Sequence, residues 1–390
     1  MKTHYDVAVV GGGPAGCCAA RRAAESGASV LLLEKDREIG LPVRCAEGVT
    51  ADDLAKFVEV KPAWIAATVD RARFFAPDGT VVEANPPGDR GYVLHRRLFD
   101  ADLAAMAADA GAELLTKAYA SGLILEDGFV RGVRFEHLGA EAAVTSAVVI
   151  GADGVESRVG RWAGLDTRTP PGDIASCVQM TLGGIAVDPT AAEFHFGENV
   201  APGGYAWVFP KGAASANVGL GLPVRGCRMR RPVDCLRQFV ERRFPGASVL
   251  TLVAGSVPLC PPSGDIVANG LMLAGDAAHQ ADPISGGGIL WAMEAGLMAG
   301  ETAARALKSG NVSQKALASY QKAWRNGTGK TIEQRYRFKN VLMSLGDDEI
   351  NRMAGTLLTI PPEERTAYQI FKAGLTKHPK LLFELAKSLF

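Results

Sequence analysis

Three glycines and a glutamate supply the first chemistry. Gly11, Gly13 and Gly16 stand in the spacing Gly-x-Gly-x-x-Gly, and Glu34 follows 18 residues after Gly16. The first glycine permits a tight turn, the second lets a pyrophosphate approach the backbone, and the third lets a helix pack closely on a strand. Free N–H groups and the positive end of the helix then hold phosphates, and a carboxylate at Glu34 accepts from a ribose hydroxyl. These residues ask for an adenine dinucleotide with a free 2′-hydroxyl. FAD or NAD fits better than NADP, and the motif does not choose between those two. Two later loops carry Asp153-Gly154 and Asp276, the second followed by Pro283, Gly286, Gly287, Gly288 and Ile289. A strand-end aspartate suits the hydroxyls of a ribityl chain, and a glycine-opened helix start suits an anionic ring. Taken alone, each of these loops also reads as a structural glycine turn.

Such residues belong at the carboxyl ends of buried strands. Tyr5–Val10 and Ser29–Leu33 are short, apolar and read as parallel strands, joined by a helix from Cys17 to Ala24 that ends at Gly27. Ala147–Ile150 and Gly270–Ala274 read likewise, and each runs into one of the two later loops. A helix from Arg97 to Ala110, a hairpin Leu123–Arg134 turning at Asp127-Gly128 and a long helix Ile289–Lys308 complete this part. Val69–Phe75, Thr80–Glu83 and the glycine-rich stretch Ile174–Leu222 read as an antiparallel sheet, with a helix at Leu236–Phe244. From Ser313 onward the pattern is helical. The expected fold class is α/β. A Rossmann-type dinucleotide-binding domain is assembled from 1–66, 92–170 and 265–310, an antiparallel-sheet substrate domain (67–91, 171–264) is inserted, and a helical C-terminal region spans 311–390.

Composition excludes several classes. Lys+Arg and Asp+Glu are both 42, so nothing global attracts nucleic acid. The seven cysteines are odd in number and show no CxxC spacing, which points to neither a disulfide framework nor a metal site. A strand already under way at residue 5 leaves no space for a signal peptide, and no charge-free run reaches 18 residues. A cytoplasmic protein is expected, with a peripheral contact to the membrane face left open.

The three ligand loops, in this order, resemble the FAD-dependent superfamily that includes the p-hydroxybenzoate hydroxylase-like monooxygenases, over about the first 310 residues. The resemblance implies FAD rather than NAD. It implies that Ala15, Glu34 and Lys35 serve the adenine half, with Ala120 near the adenine and Arg96 near the pyrophosphate. Asp153 and Gly154 join the same site, while Asp276, Pro283, Gly286–Gly288 and Ile289 hold the ribityl chain and isoalloxazine. His279 is implied to be structural rather than a catalytic base.

Two further stretches, Pro42-Val-Arg-Cys45-Ala-Glu-Gly48 and Tyr205-Ala-Trp207-Val-Phe209-Pro210, resemble the geranylgeranyl reductase family. Its YxWxFP motif and Cys-Gly loop form the reactive end of an isoprenoid pocket. The likeness is nearest to archaeal members acting on digeranylgeranylglycerol phospholipids in membrane lipid biosynthesis. It implies an FAD-dependent reductase that saturates isolated C=C bonds of geranylgeranyl chains. Cys45, Tyr205 and Trp207 would be catalytic. Tyr205, Trp207, Phe209 and Pro210 would line the substrate pocket, with Arg44, Cys45, Ala46 and Gly48 beside the flavin. Ala46 departs from the glycine that many members carry, which stiffens the loop. Read without the resemblance, Cys45 is equally a small buried hydrophobe, and the alternate aromatics are equally sheet packing.

The implied partners are a prenylated lipid and an electron donor, either ferredoxin or NAD(P)H, since no second Gly-x-Gly-x-x-Gly occurs. A terminal helix at 377–390 sets Leu381, Leu382, Leu385 and Leu389 near one face, with Lys377, Lys380 and Lys387 placed for anionic headgroups. The same helix could instead pack on its own domain. Rival functions are an FAD-dependent aromatic monooxygenase, a halogenase-like flavoprotein and a non-catalytic prenyl-lipid-binding flavoprotein. Cys45 and the Tyr205–Pro210 stretch argue against the first, and no Trp-x-Trp-x-Ile-Pro stretch supports the second.

Overall fold

Valine-rich strands buried on both faces build the sheet that carries the glycine motif. In the computed structural model, which describes residues 2–88, 90–224, 230–262 and 264–365, the order is Val267–Ala268, Leu271–Leu273, Ala140–Gly151, His4–Val10, Val30–Leu33, Glu113–Leu115. Leu271–Leu273 through Glu113–Leu115 run parallel, and Val267–Ala268 adds an antiparallel edge. Ala140–Gly151 is longer than its apolar stretch foretold. Its first half pairs antiparallel with Phe129–His137, which continues the hairpin from Ala118–Glu126, and its second half pairs parallel with His4–Val10. The register aligns Val10 with Leu33 and Gly151, and Gly151 with Leu273. Three loops far apart in sequence therefore leave the sheet at one edge.

The helix Pro14–Glu25 begins earlier than expected because Pro14 at its first position needs no hydrogen-bond partner. It packs on Ile289–Lys308. A Cβ at Gly296 would lie 2.2 Å from Ala15 O, and one at Gly300 would lie 2.5 Å from Ala19 O. Small residues one turn apart on one helix thus admit the backbone of the other.

The chain divides into two compact units. The first is Met1–Val43, Arg96–Thr169 and Pro258–Glu333, and the second is Arg44–His95, Pro170–Val257 and the residues from Gln334 on. Residues 44–66 and 92–95, assigned from sequence to the nucleotide-binding domain, fall in the second unit. Gly48–Thr50 and Ile65–Val69 both pair with Gly91–Leu94 to form a three-stranded antiparallel sheet there. The helix Gln314–Asn326, assigned to a separate C-terminal region, belongs to the first unit. Its Gln321 accepts from Ile266 N at 2.7 Å and donates to Asp265 at 2.7 Å. The expected terminal helix at 377–390 and Cys227 lie outside the described residues.

The second unit is built on a seven-stranded sheet: Ser248–Pro258, Ile174–Gly183, Ser215–Pro223, Tyr205–Pro210, Ala191–His195, Arg71–Phe75, Val81–Ala84. It is not wholly antiparallel as expected, because Ala191–His195 runs parallel to Arg71–Phe75. A parallel neighbour needs a long crossover, and these two strands are separated by an entire stretch of the first unit. Alternation divides the sheet into two faces. One carries Val178, Met180, Ala206, Val208, Val218 and Leu220, closed by Cys235, Leu236, Phe239 and Val240 of the helix Pro232–Arg243. The other carries the aromatics considered next.

Candidate active site

At the edge of the first unit's sheet the glycine loop is shaped by close backbone contact. Gly11 has φ +107°, and a Cβ there would meet Ala152 O at 2.2 Å. A Cβ at Gly16 would meet Gly11 O at 1.9 Å, whereas one at Gly13 would meet nothing within 4 Å. Gly11 and Gly16 are thus needed by the protein itself, and Gly13 leaves room for a ligand. Glu34 leaves the end of Val30–Leu33 with its carboxylate turned back on this loop, accepting from Gly12 N at 2.7 Å and Asp36 N at 2.8 Å. Ala15 is buried, Lys35 is exposed, and Ala120 is buried on its strand opposite Phe135.

The second and third loops are tied to each other. Ser157, buried and left-handed at φ 42°, donates its hydroxyl to Ala277 O at 2.8 Å. Asp153 accepts from Val159 N through Oδ2 at 3.0 Å, while its Oδ1 is buried without a protein partner. Burial pushes that carboxyl up. Gly154 at φ +75° has open space around it. Asp276 follows Leu271–Leu273 and lies 3.3 Å from the position of a Cβ on Gly288. Burial pushes its carboxyl up to about 6, against the pull of the Arg96 guanidinium. Arg96 is itself held by two 2.7 Å bonds to Asp100 one turn along its helix. Pro283 is buried, and Gly286 donates to Asp282 O while Gly287 accepts from Asp282 N, each at 2.8 Å. That turn delivers Gly288 as the cap of Ile289–Lys308, so the first free amides of a 20-residue helix open beside Asp276. His279 is buried at φ 54° between Thr169 Oγ1 at 3.1 Å and Cys260 Sγ at 3.6 Å. Burial lowers its pKa. An orphaned buried carboxylate oxygen, an open Gly13 and a glycine-capped helix start fit a dinucleotide with a ribityl chain.

In the second unit, Tyr205, Trp207 and Phe209 share the sheet face opposite the aliphatic core. Tyr205 and Trp207 stand edge to face at 5.9 Å. Phe194 on the next strand lies 5.8 Å from Tyr205 and 5.5 Å from Phe209, and stacks on Phe74 at 5.3 Å. Pro210, expected on this wall, falls by alternation on the side of Ala206 and Val208. Trp207 lies against the backbone of Gly219, where a Cβ would be 2.4 Å from Cζ2. Its Nε1 donates to Gln179 Oε1 at 3.0 Å, and Gln179 Nε2 donates to Cys45 O at 2.8 Å. Because an indole can only donate, the amide of Gln179 has one orientation.

The segment bearing Arg44, Cys45, Ala46 and Gly48 belongs to this unit. Arg44 runs past Gly255, and Gly48 faces Phe209, whose ring a Cβ would meet at 2.9 Å. Ala46 O accepts from Asn217 Nδ2 at 3.3 Å. The left-handed residue of the loop is Glu47, not Ala46, so an alanine is tolerated there without strain. Gln179, Lys211 and Asn217 were not singled out from sequence. A glutamine, a lysine and an asparagine on a glycine-rich strand pattern carry no signal until the loop is laid on them.

Comparison with known proteins gives two overlapping family matches. A family model described as an FAD binding domain matches residues 4–201, and one described as the geranylgeranyl reductase catalytic domain matches 173–257. The digeranylgeranylglycerophospholipid reductase of Methanosarcina acetivorans is 48% identical, over 99% of this chain and 96% of the relative. That of Methanocella arvoryzae is 45% identical over 99% of each. The crystal structure of a geranylgeranyl bacteriochlorophyll reductase-like protein from Thermoplasma acidophilum superposes with a TM-score of 0.93, at 36% identity and 99% coverage of both chains. A flavin-dependent brominase, at 19% identity and a TM-score of 0.69 over 99% of this chain and 93% of that one, shares the fold alone.

Proposed function

We infer the reaction from the premise that the chain belongs to the geranylgeranyl reductase family of FAD-dependent oxidoreductases. When bound, FAD supplies the reducing equivalents as a hydride at its reduced ring. The substrate is a digeranylgeranylglycerol phospholipid, and the reaction adds a hydride to one carbon of an isolated prenyl C=C bond and a proton to the other. What supports this reading is the aromatic face of Phe194, Tyr205, Trp207 and Phe209, which lies inside the stretch matched by the catalytic-domain model. An apolar chain is accommodated on such a face, away from water.

The roles of individual residues follow from their chemistry. An isolated alkene has no carbonyl to carry developing charge, so positive character gathers at the more substituted carbon. Tyr205 and Trp207 offer π faces to it, worth about 0.5–2 kcal/mol each. Trp207 is held by Gly219 on one side and by Gln179 at its N–H. Cys45 orients the alkene or relays the proton. In the first unit Glu34 holds the adenosine ribose, the loop at Gly13 the pyrophosphate, and Asp276 with the Gly288 helix start the ribityl chain and ring.

The substrate reaches the protein from a membrane surface, to which the chain binds peripherally. Among the described residues no helix is long and apolar enough to cross a membrane. Liposome sedimentation with and without residues 377–390 tests that association, and equal binding would remove the terminal segment from it. The reaction is tested by mass spectrometry of prenyl lipids after incubation with dithionite-reduced holoenzyme. Dithionite stands in for the donor, so the outcome does not depend on whether ferredoxin or NAD(P)H serves. Stepwise gains of two hydrogens are expected, and their absence would overturn the assignment.

A further inference from the structure

The backbone around Cys45 leaves the ordinary regions at one residue. Glu47 has φ 74°, where glycine moves freely and a longer side chain is disfavoured. A residue stays there only when its surroundings over-determine it. Here they do, from within the same unit. The Glu47 carboxylate, 5% exposed, accepts from Lys211 Nζ at 2.5 Å and from Asn217 Nδ2 at 2.5 Å. Lys211 also donates to Leu94 O at 2.8 Å, and Leu94 N donates back to Glu47 O at 2.9 Å. With both ends of Glu47 gripped, its own N–H is aimed at Cys45 Sγ, 3.2 Å away.

We propose that Lys211 and Asn217 are positioning residues for Cys45, holding Glu47 in its left-handed conformation so that its amide donates to the cysteine sulfur. Such a donor fixes the direction of the thiol and strengthens as the sulfur ionises, because an anion accepts the stronger hydrogen bond. The charged and titratable groups of the cluster are Glu47, Lys211, the chain neighbour Arg44 and His95. Burial and then the Lys211 charge hold His95 below its ordinary value, and Glu47 opposes them. The second grip on the loop, from Gln179 to Cys45 O, is independent of this clamp. Only the activity measurement below rests on the proposed reductase reaction.

The test uses holoenzyme carrying Glu47→Ala together with Lys211→Met, which releases the clamp, leaves no unpaired buried charge and puts at position 47 a residue that does not keep φ 74° by itself. Lys211→Arg keeps a cation, and Asn217→Ala loosens the grip with the ion pair intact. The first readout is the rate at which iodoacetamide alkylates Cys45 at neutral pH, followed on the Cys45 peptide by mass spectrometry, with melting curves to establish folding. The double variant should react more slowly by about fivefold, the loss of one hydrogen bond. Asn217→Ala should fall between it and the wild type, and Lys211→Arg should stay within about twofold of the wild type. An unchanged or faster rate in folded double variant, or in Asn217→Ala should the double variant not fold, overturns the proposal. The second readout is turnover of prenyl lipid. The double substitution should lower kcat with little change in KM, and should cost nothing further in a Cys45→Ser background, whereas additive losses would mean that the clamp acts elsewhere. If wild-type enzyme saturates no prenyl lipid, the reductase reading falls and the alkylation result still decides the clamp.

Discussion

A methyl group on Gly219 would lie 2.4 Å from Cζ2 and 2.6 Å from Cε2 of Trp207, and 2.7 Å from the carbonyl oxygen of Val178. The carbonyl belongs to the neighbouring strand of the sheet, so the two strands must part there, and the indole, closer still, must move off. Trp207 is 7% exposed, and its N–H has Gln179 as a partner at 3.0 Å. Moving the ring off Gly219 therefore breaks that bond where water is largely excluded. Overpacking costs about 1–3 kcal/mol and the lost hydrogen bond about 1 kcal/mol, together about 2–4 kcal/mol for Gly219→Ala. For a unit of this size each kcal/mol moves the melting temperature by about 2–4 °C, so a fall of about 5–15 °C is expected by circular dichroism or calorimetry. Gly122→Ala is the control. It also sits in a strand, but a Cβ there meets nothing within 4 Å, and its effect should stay within about 0.5 kcal/mol. If Gly219→Ala melted with the wild type while Gly122→Ala did too, the indole would not be seated on Gly219, and the fixed Trp207–Gln179–Cys45 arrangement would be refuted.

Four more variants have outcomes set by the same geometry. Gly13→Ala should melt as the wild type yet weaken FAD binding at least about tenfold, about 1.4 kcal/mol, because the space it fills is the ligand's. Gly16→Ala, whose Cβ would sit 1.9 Å from Gly11 O, should lose stability and flavin together, and flavin fluorescence titration beside melting curves separates the two cases. Asp276, with its carboxyl at about 6, lies above its unfolded value near 3.9, so the folded chain holds the extra proton and stability declines as pH rises from about 4 to 6. Asp276→Asn in FAD-free protein should therefore gain up to about 3 kcal/mol above that window and nothing below it, and a difference that persisted in acid would show another cause. Cys45→Ser should leave the melting temperature within about 2 °C and lower turnover at every prenyl double bond, and full turnover would remove the thiol from the reaction.

The parts legible from residues alone are those governed by short-range geometry. The turn, helix and strand around Gly11, Gly13 and Gly16 obey local dihedral limits, so spacing was enough to place Glu34 beside the glycine loop, where it accepts from Gly12 N. The two-residue period of a strand was enough to put Tyr205, Trp207 and Phe209 on one face, and the same period places Pro210 on the other. The start of Ile289–Lys308 was readable because three glycines precede a long stretch rich in alanine, leucine and methionine.

Tertiary structure decided what meets what. Gln179, Lys211 and Asn217 reach the Cys45 loop across 134, 164 and 170 residues, and a polar side chain has no role until a partner is brought to it. The same holds for the parallel pairing of Ala191–His195 with Arg71–Phe75 and for the transfer of residues 44–66 to the second unit, both set by strands that find each other only after folding. Glu47 was visible in the sequence as a neighbour of Cys45. Its left-handed backbone was not, because no local preference favours glutamate there, and its carboxylate meets Lys211 and Asn217, and its carbonyl Leu94, only once the chain has folded.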